Sequence, residues 1–258
     1  MKITWSTTSQ QGERDSNEDV TGAHLNNNAG CFLVCDGVAG NAGGDVAAQL
    51  VRDTLLNELT DRHPLTALET RLVIEKADQL LRTQQQTSPA LARMSTTLAA
   101  LFIDRERLLA WWAHAGDSRL YHFRRGYIHE VTRDHSLVQQ LRDAGMEHTG
   151  INSNLLLNAL GAQPPREASY SEMMPLEDGD AFLLCTDGFW QTLTAEEMEQ
   201  SLHMVNSPKE WLALMQMAIN RREKRDNLSA VAVWVGAPQD ITLLHSLADT
   251  ARFIPPHD

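Results

Sequence analysis

Polar and apolar positions follow two rhythms along this chain, and the switches between them lay out its elements. Lys2 to Ser9 alternates and is rich in threonine, the signature of a half-buried strand, whereas Gly30 to Asp36 (GCFLVCD) is continuously apolar and reads as a buried one. Past a run of glycines, Asp45 to Asp61 places Val46, Leu50, Leu55, Leu56 and Leu59 at helical spacing, and Pro64 to Gln85 repeats it with Leu68, Leu72, Ile74, Ala77 and Leu81. Two strand-like runs follow, Ser95 to Asp104 and Arg107 to Asp117, joined by a short polar turn at Asp104 to Glu106; they predict a hairpin. Ser118 to Thr132 predicts another, turning at Arg125 and Gly126.

From Asp134 to Gly161 the pattern weakens into short helical pieces around a polar, Asn-rich middle. Gly179 to Trp190 (GDAFLLCTDGFW) returns to an apolar strand that runs into Asp-Gly. Helices are expected in TAEEMEQSLHM, with Thr194 as N-cap, and from Pro208 to Lys224, before a last strand in LSAVAVWVG. The segment from Ala237 to Asp258 reads as a tail with a short helix around Leu243 to Ala251. Antiparallel hairpins combined with two pairs of long helices predict an α+β fold, a β-sandwich with strands and helices in separate layers. No repeat or linker interrupts residues 1–236, so one domain is expected there, followed by the tail at 237–258.

With 258 residues and 42% hydrophobic residues the chain is long enough for a substantial core. Its formal charge of -12 argues against a nucleic-acid binder, because affinity for phosphate backbones comes from clustered lysine and arginine. Cys31, Cys35 and Cys185 all lie in apolar runs without zinc spacing, which fits reduced, buried thiols in a cytoplasmic protein. The N-terminus has no apolar signal core, and no apolar stretch approaches the roughly 18 residues of a membrane span.

An acidic total takes on meaning once the acids are located. Apolar strands run into Asp36-Gly37, Asp117-Ser118 and Asp187-Gly188, and Asp226 stands just before the last strand. Each Asp-Gly alone is a turn signal. Four acids at comparable strand ends can meet at one edge of a sheet core, where they demand cations, since like charges a few Å apart raise one another's pKa. Hard oxygen donors without a cysteine or histidine pattern point to Mg²⁺ or Mn²⁺. The stretch CDGVAGNAGG has neither the GxGxxG nor the GK[ST] spacing of a nucleotide loop. RDSNED (Arg14 to Asp19) adds a guanidinium able to grip a phosphate in a bidentate fork, with Glu18 and Asp19 as further oxygen donors.

The motifs RDSNED, CDGVAGNAGGDVAA, MSTTLAAL, AHAGDSRLY, TRDHSL, NALG, LLCTDGFW and RDNLSAVAV, in this order from about Thr7 to Trp234, resemble the PPM family, the metal-dependent protein serine/threonine phosphatases also called PP2C. The resemblance implies a central antiparallel β-sandwich flanked on both sides by pairs of helices, with a binuclear Mn²⁺/Mg²⁺ site in a cleft at one end. By position it implies that Asp36 bridges two metals, that Gly37 through its carbonyl and Glu18 belong with one, and that Asp187 and Asp226 belong with the other. Asp19 matches an acid that contacts the attacking water, Arg14 the phosphate-binding arginine, and Asp117 an acid that with Asp187 holds a third, weaker metal. Asn227 matches a supporting residue behind the ligands.

The activity implied is hydrolysis of phosphoserine and phosphothreonine by a metal-activated water, without a covalent enzyme intermediate; none of the three cysteines starts a CxxxxxR motif. Two readings of other classes stand beside it: a non-catalytic phosphoprotein-binding module on the same fold, and a two-metal phosphodiesterase or nuclease. The first is disfavoured because every core ligand position is filled, the second by the acidic total. The resemblance to bacterial single-domain members implies a monomer acting on a phosphorylated protein and opposing a Hanks-type kinase, with type VI secretion regulation as one setting. Ala39 stands where a glycine is common, and Val38 where animal members carry a proton-donating histidine. A flap that selects substrate is expected at about 136–158, varying most from Gln139 to Ser153. His114 is expected to be structural, His135 to border the cleft, the Met94 to Thr97 stretch to support the site, and Trp111 and Trp112 to face opposite sides of their strand.

Overall fold

The structure is a computed structural model that describes residues 1–38, 43–60, 65–146, 155–222 and 226–238. Along the chain run β1 (Ile3–Gln10), β2 (Asp19–Leu25), β3 (Ala29–Asp36), α1 (Gly44–Leu59), α2 (Ala67–Gln85), β4 (Leu98–Asp104), β5 (Leu109–Ala115), β6 (Arg119–Arg124) and β7 (Tyr127–Val131). There follow α3 (Leu137–Asp143), β8 (Ser169–Tyr170), β9 (Met174–Pro175), β10 (Ala181–Cys185), α4 (Asp187–Trp190), α5 (Ala195–His203), α6 (Pro208–Asn220) and β11 (Leu228–Val235). One sheet has the order β1-β11-β10-β6-β7, the other β2-β3-β4-β5-β8, with β9 also pairing β5. All the pairings are antiparallel.

The side-chain period of two along a strand explains the layers. On β4, Ala99, Leu101 and Ile103 point between the sheets, where they meet Val231, Val233 and Val235 of β11. The alternate residues Leu98, Ala100 and Phe102 point outward into a second core under α1 and α2. A third core packs Ala230, Ala232 and Trp234 of β11 against α5 and α6. Both faces of the central strands are therefore buried, which is why LSAVAVWV is apolar throughout. The layering is the α-β-β-α order expected, and Trp111 and Trp112 divide between the helix-side and inter-sheet cores.

Several expectations are refined. The buried faces of α1 and α2 are carried by Ala47, Ala48, Val51, Leu55 and by Val73, Ile74, Ala77, Leu81; Val46, Leu68 and Leu72 are exposed. Alanines share the face that packs on the sheet with Leu55, Leu59 and Leu81, while Leu68 and Leu72 are turned outward. Strand β2 was not anticipated, because its VTGAHL pattern is short and only weakly alternating. The apolar run of β10 stops at Cys185, and Asp187-Gly188 open the single turn α4. Thr194 caps α5 as expected, within a capping box completed by Glu197. Ala39, Gly40, residues 147–154 of the expected flap and the expected helix at Leu243 to Ala251 lie outside the described residues. Among the described residues no helix is long and apolar enough to cross a membrane.

Register places the acids. Asp19 lies opposite Asp36 at the start of β2 and end of β3, and Leu98 opposite Ala115, two residues before Asp117. In the other sheet Cys185 pairs with Ala230 and Gln10 with Leu228, so Asp187 and Asp226 emerge from the corresponding end. The strand ends meet across the sandwich.

Candidate active site

A cleft of about 490 Å³ opens at that end, lined by Arg14, Glu18, Asp36, Gly37, Asp117, Asp187, Asp226 and Asn227. Of the site residues expected from sequence, only Asp19 is set back from its surface, 5% exposed behind the wall.

Asp36 closes β3, and its backbone is pinned by β4: Thr97 N donates to Asp36 O (2.8 Å) and Asp36 N donates to Thr97 Oγ1 (2.9 Å). Gly37 N donates to Glu18 O at 3.2 Å. A Cβ on Gly37 would stand 2.4 Å from the backbone carbon of Gly44, so only glycine lets the start of α1 close over the acid. Asp226 is gripped by Arg14 in a two-pronged ion pair, Nε to Oδ1 at 2.9 Å and Nη2 to Oδ2 at 2.7 Å. Asn227 ties the 11–18 loop to β11: its Nδ2 donates to Gln11 O (2.7 Å) and Ser16 O (2.9 Å), and its Oδ1 accepts from Glu18 N (2.9 Å). Thr186 Oγ1 donates to Asp19 Oδ2 at 2.8 Å.

The electrostatics are those of like charges sharing a poorly hydrated space. Burial, then the neighbouring acids Asp19, Asp187, Asp117 and Asp226, hold the Asp36 carboxyl well above the ordinary range. Burial pushes Asp19 and Asp117 up to about 7, with Asp187 adding to both. Asp187 is raised by burial and by Asp226, and Glu18 by burial and by Asp45. A carboxyl in this state either keeps its proton or takes a cation.

The donors fit divalent cations. All are hard oxygens, and two buried carboxylate oxygens, Glu18 Oε2 and Asp19 Oδ1, have no hydrogen-bond partner. No three acidic, histidine or cysteine side chains among the described residues already close on one point at coordinating distance. Instead Arg14 engages both oxygens of Asp226, and Asp36 hydrogen-bonds to Asp187. Those two contacts are where opposite charge, or a shared proton, relieves the acids.

Sequence reasoning placed His135 at the border of the cleft; in the structure it is not among the residues that line it. His135 lines a separate cavity with His114, the two rings stacked with centroids 4.2 Å apart. Its Nδ1 accepts from Gly116 N (3.3 Å), its Nε2 lies 2.9 Å from Ser169 Oγ, and burial with His114 beside it lowers its pKa to about 4. His114 is structural as expected, 6% exposed with Nε2 2.7 Å from Arg133 O. Two further contributors, Leu156 of the expected flap and Trp190 of the LLCTDGFW motif, were given no role of their own from the sequence. Leu156 forms part of the cleft wall, and Trp190 Nε1 donates to Asp117 O at 2.9 Å under a cation–π contact from Arg119. Their roles depend on folding back across 40 to 70 residues, which spacing along the chain does not reveal.

Comparison with known proteins gives a consistent set of likenesses. The family pattern described as Protein phosphatase 2C matches residues 8–231. The serine/threonine phosphatase Stp of Listeria welshimeri is 28% identical over 233 residues, covering 85% of this chain and 90% of its own. The crystal structure of the Mycobacterium tuberculosis serine/threonine phosphatase PstP superposes with a TM-score of 0.78 at 26% identity, covering 91% of this chain and 99% of that one. A structure of the PstP catalytic domain in complex with two manganese ions superposes equally well, with a TM-score of 0.78. PppA, described as a key regulatory component of the T6SS in Pseudomonas aeruginosa, gives 0.75 at 27% identity over 92% of this chain and 98% of its own.

Proposed function

The chain belongs to the protein phosphatase 2C family and is a serine/threonine protein phosphatase acting on phosphoproteins, and from that premise we propose that its acidic cleft holds two divalent cations, Mn²⁺ or Mg²⁺, with room for a third. The observation that carries this reading is the convergence of Glu18, Asp36, Asp117, Asp187 and Asp226 in one cleft whose acids are mutually raised and partly unpartnered. The PstP catalytic domain with two manganese ions supports the number.

When bound, the pair supplies an activated water, orients the phosphate and neutralises charge developing on its oxygens. The chain's residues divide the remaining work. Asp36 would be shared by the pair; Glu18 and the Gly37 carbonyl would hold one cation, Asp187 and Asp226 the other, and Asp117 with Asp187 the third. Asp19, behind this wall and fixed by Thr186, would accept a hydrogen bond from the attacking water. Arg14 exchanges Asp226 for the incoming phosphate, to which its planar fork is suited. Asn227 supports the ligands by fixing the loop that carries Arg14 and Glu18. Val38 lines the cleft and has no proton to give a leaving alkoxide.

The substrate is a protein phosphorylated on threonine or serine by a kinase that this enzyme opposes. The likeness to PppA supports a setting in type VI secretion regulation. The enzyme acts as a monomer in the cytoplasm, where its three buried free cysteines stay reduced. The test is phosphate release from a phosphothreonine peptide by chelator-treated protein, with and without added Mn²⁺. Activity is expected only with the metal, and a fall of about a hundredfold or more for Asp36→Asn or Asp187→Asn. Full activity in excess chelator, or faster cleavage of a phosphodiester than of the peptide, would sink the reading.

A further inference from the structure

The two acids that flank β4 are held differently: Asp36 stays in the β2–β3 ladder opposite Asp19, with a bridge between Gly37 and Thr96 just past it, whereas Asp117 lies beyond the β4–β5 ladder. The last β3–β4 pair is Val34 with Ala99, and the last β4–β5 pair is Leu98 with Ala115. Sheet pairing therefore holds the Asp36 end but leaves the Asp117 loop to be fixed by other contacts. Thr97, 1% exposed at the start of β4 and in the wall of the cleft, supplies what the ladders do not. On one side it exchanges two hydrogen bonds with Asp36, one through its backbone N–H and one through Oγ1. On the other its Oγ1 lies 2.6 Å from the hydroxyl of Ser118, the residue after Asp117. Its methyl group closes on Gly116: a Cβ there would stand 2.6 Å from Thr97 Cγ2, and the φ of +99° already excludes most side chains. Among the described residues, the other hydrogen bonds to Gly116 and Asp117 come from His135 and Trp190.

We propose that Thr97 is a positioning residue: its hydroxyl locks the Asp36 and Asp117 loops to each other and so decides whether the cleft takes a further cation through Asp117 beside the pair held around Asp36. The inference rests on the two-cation reading above and deepens it. Attraction between a carboxylate and a cation changes steeply with distance, so where the Asp117 loop stands relative to Asp36 bears on the cation that Asp117 takes with Asp187, and the Thr97 hydroxyl is bonded to both segments.

The experiment is a calorimetric Mn²⁺ titration of the full chain and three variants. Wild type is expected to show a tight pair of sites and a weaker one. Thr97→Val, which keeps the shape but removes the hydroxyl and with it the bonds to Asp36 N and Ser118 Oγ, is expected to keep the tight pair and weaken the third by about tenfold, the effect of losing the bond to the Ser118 side. Thr97→Ser restores the third site to within about twofold, and Ser118→Ala behaves like Thr97→Val. A Thr97→Val isotherm matching wild type overturns the proposal, as does a loss shared equally by all sites and by the serine variant. If wild type binds no Mn²⁺, it is the two-cation reading that falls. The link is then read alone in chelator-treated protein: the Tm loss of the Thr97→Val/Ser118→Ala double variant should equal the larger single loss, and a loss equal to the sum of the two means the hydroxyls act independently and overturns the link itself.

Discussion

Asp19 and Asp117 show how a single carboxyl can report on the whole cleft. Each is pushed up to about 7, from 3.8, chiefly by burial. Between those pH values the folded chain binds protons that the unfolded chain has released, so stability present below about 4 is lost as pH rises through about 7. Other acids, such as Asp180 held low by Arg124, work in the opposite direction. The contribution of Asp19 is isolated by subtraction. In chelator-treated protein, Asp19→Asn should gain in Tm relative to wild type as pH rises from 4 to 7, and a pH-independent difference would contradict the assignment. At this scale the sequence was informative wherever an acid followed an apolar strand, because Asp36, Asp117 and Asp187 advertise themselves by that contrast. Thr97 was legible only as a supporting residue and Trp190 only as a member of its motif: what each does depends on a hydrogen bond to a distant loop.

Elements translate those residues into a rigid frame through close backbone approach. A Cβ on Gly188, in α4, would stand 2.1 Å from the Asn227 carbonyl oxygen and 3.1 Å from Asp226 Cβ, so glycine is what lets α4 lie against the start of β11. Because the obstructing atom is backbone, Gly188→Ala should displace the two ligand-bearing segments from each other. Overpacking of this kind costs about 1–3 kcal/mol, or roughly 3–10 °C in Tm for a chain of this size. The same variant should weaken Mn²⁺ binding, and calorimetry with a melting curve checks both; an unchanged Tm would contradict the contact. The sequence predicted most strands and helices correctly because their periods are clear, including the hairpin at Arg125 and Gly126, which both have positive φ. It misjudged which helix residues face inward, since alanines such as Ala47 and Ala48 pack more closely on a sheet than leucines do. Strand β2 escaped notice because its pattern is short; it is recognised as a strand only through its seven-residue register with β3.

The whole molecule explains why a chain with a formal charge of -12 gathers acids rather than dispersing them. Two antiparallel sheets stacked face to face bring β3, β10 and β11 to a common end, and that geometry turns residues separated by up to about 200 positions into neighbours. The layered fold and the identity of the cleft residues were legible in the sequence. Their present arrangement was not: Arg14 paired with Asp226 and Asp36 bonded to Asp187 follow from the mutual repulsion of converged acids, which only the fold creates. The most direct test of the central claim is anomalous diffraction at the manganese edge from crystals of this chain grown with Mn²⁺. The account predicts two strong peaks in the cleft, one on each side of Asp36, with Asp187 and Asp226 around one and Glu18 with the Gly37 carbonyl around the other, and Arg14 released from Asp226. A cleft without anomalous density, its Arg14–Asp226 pair intact, would contradict it.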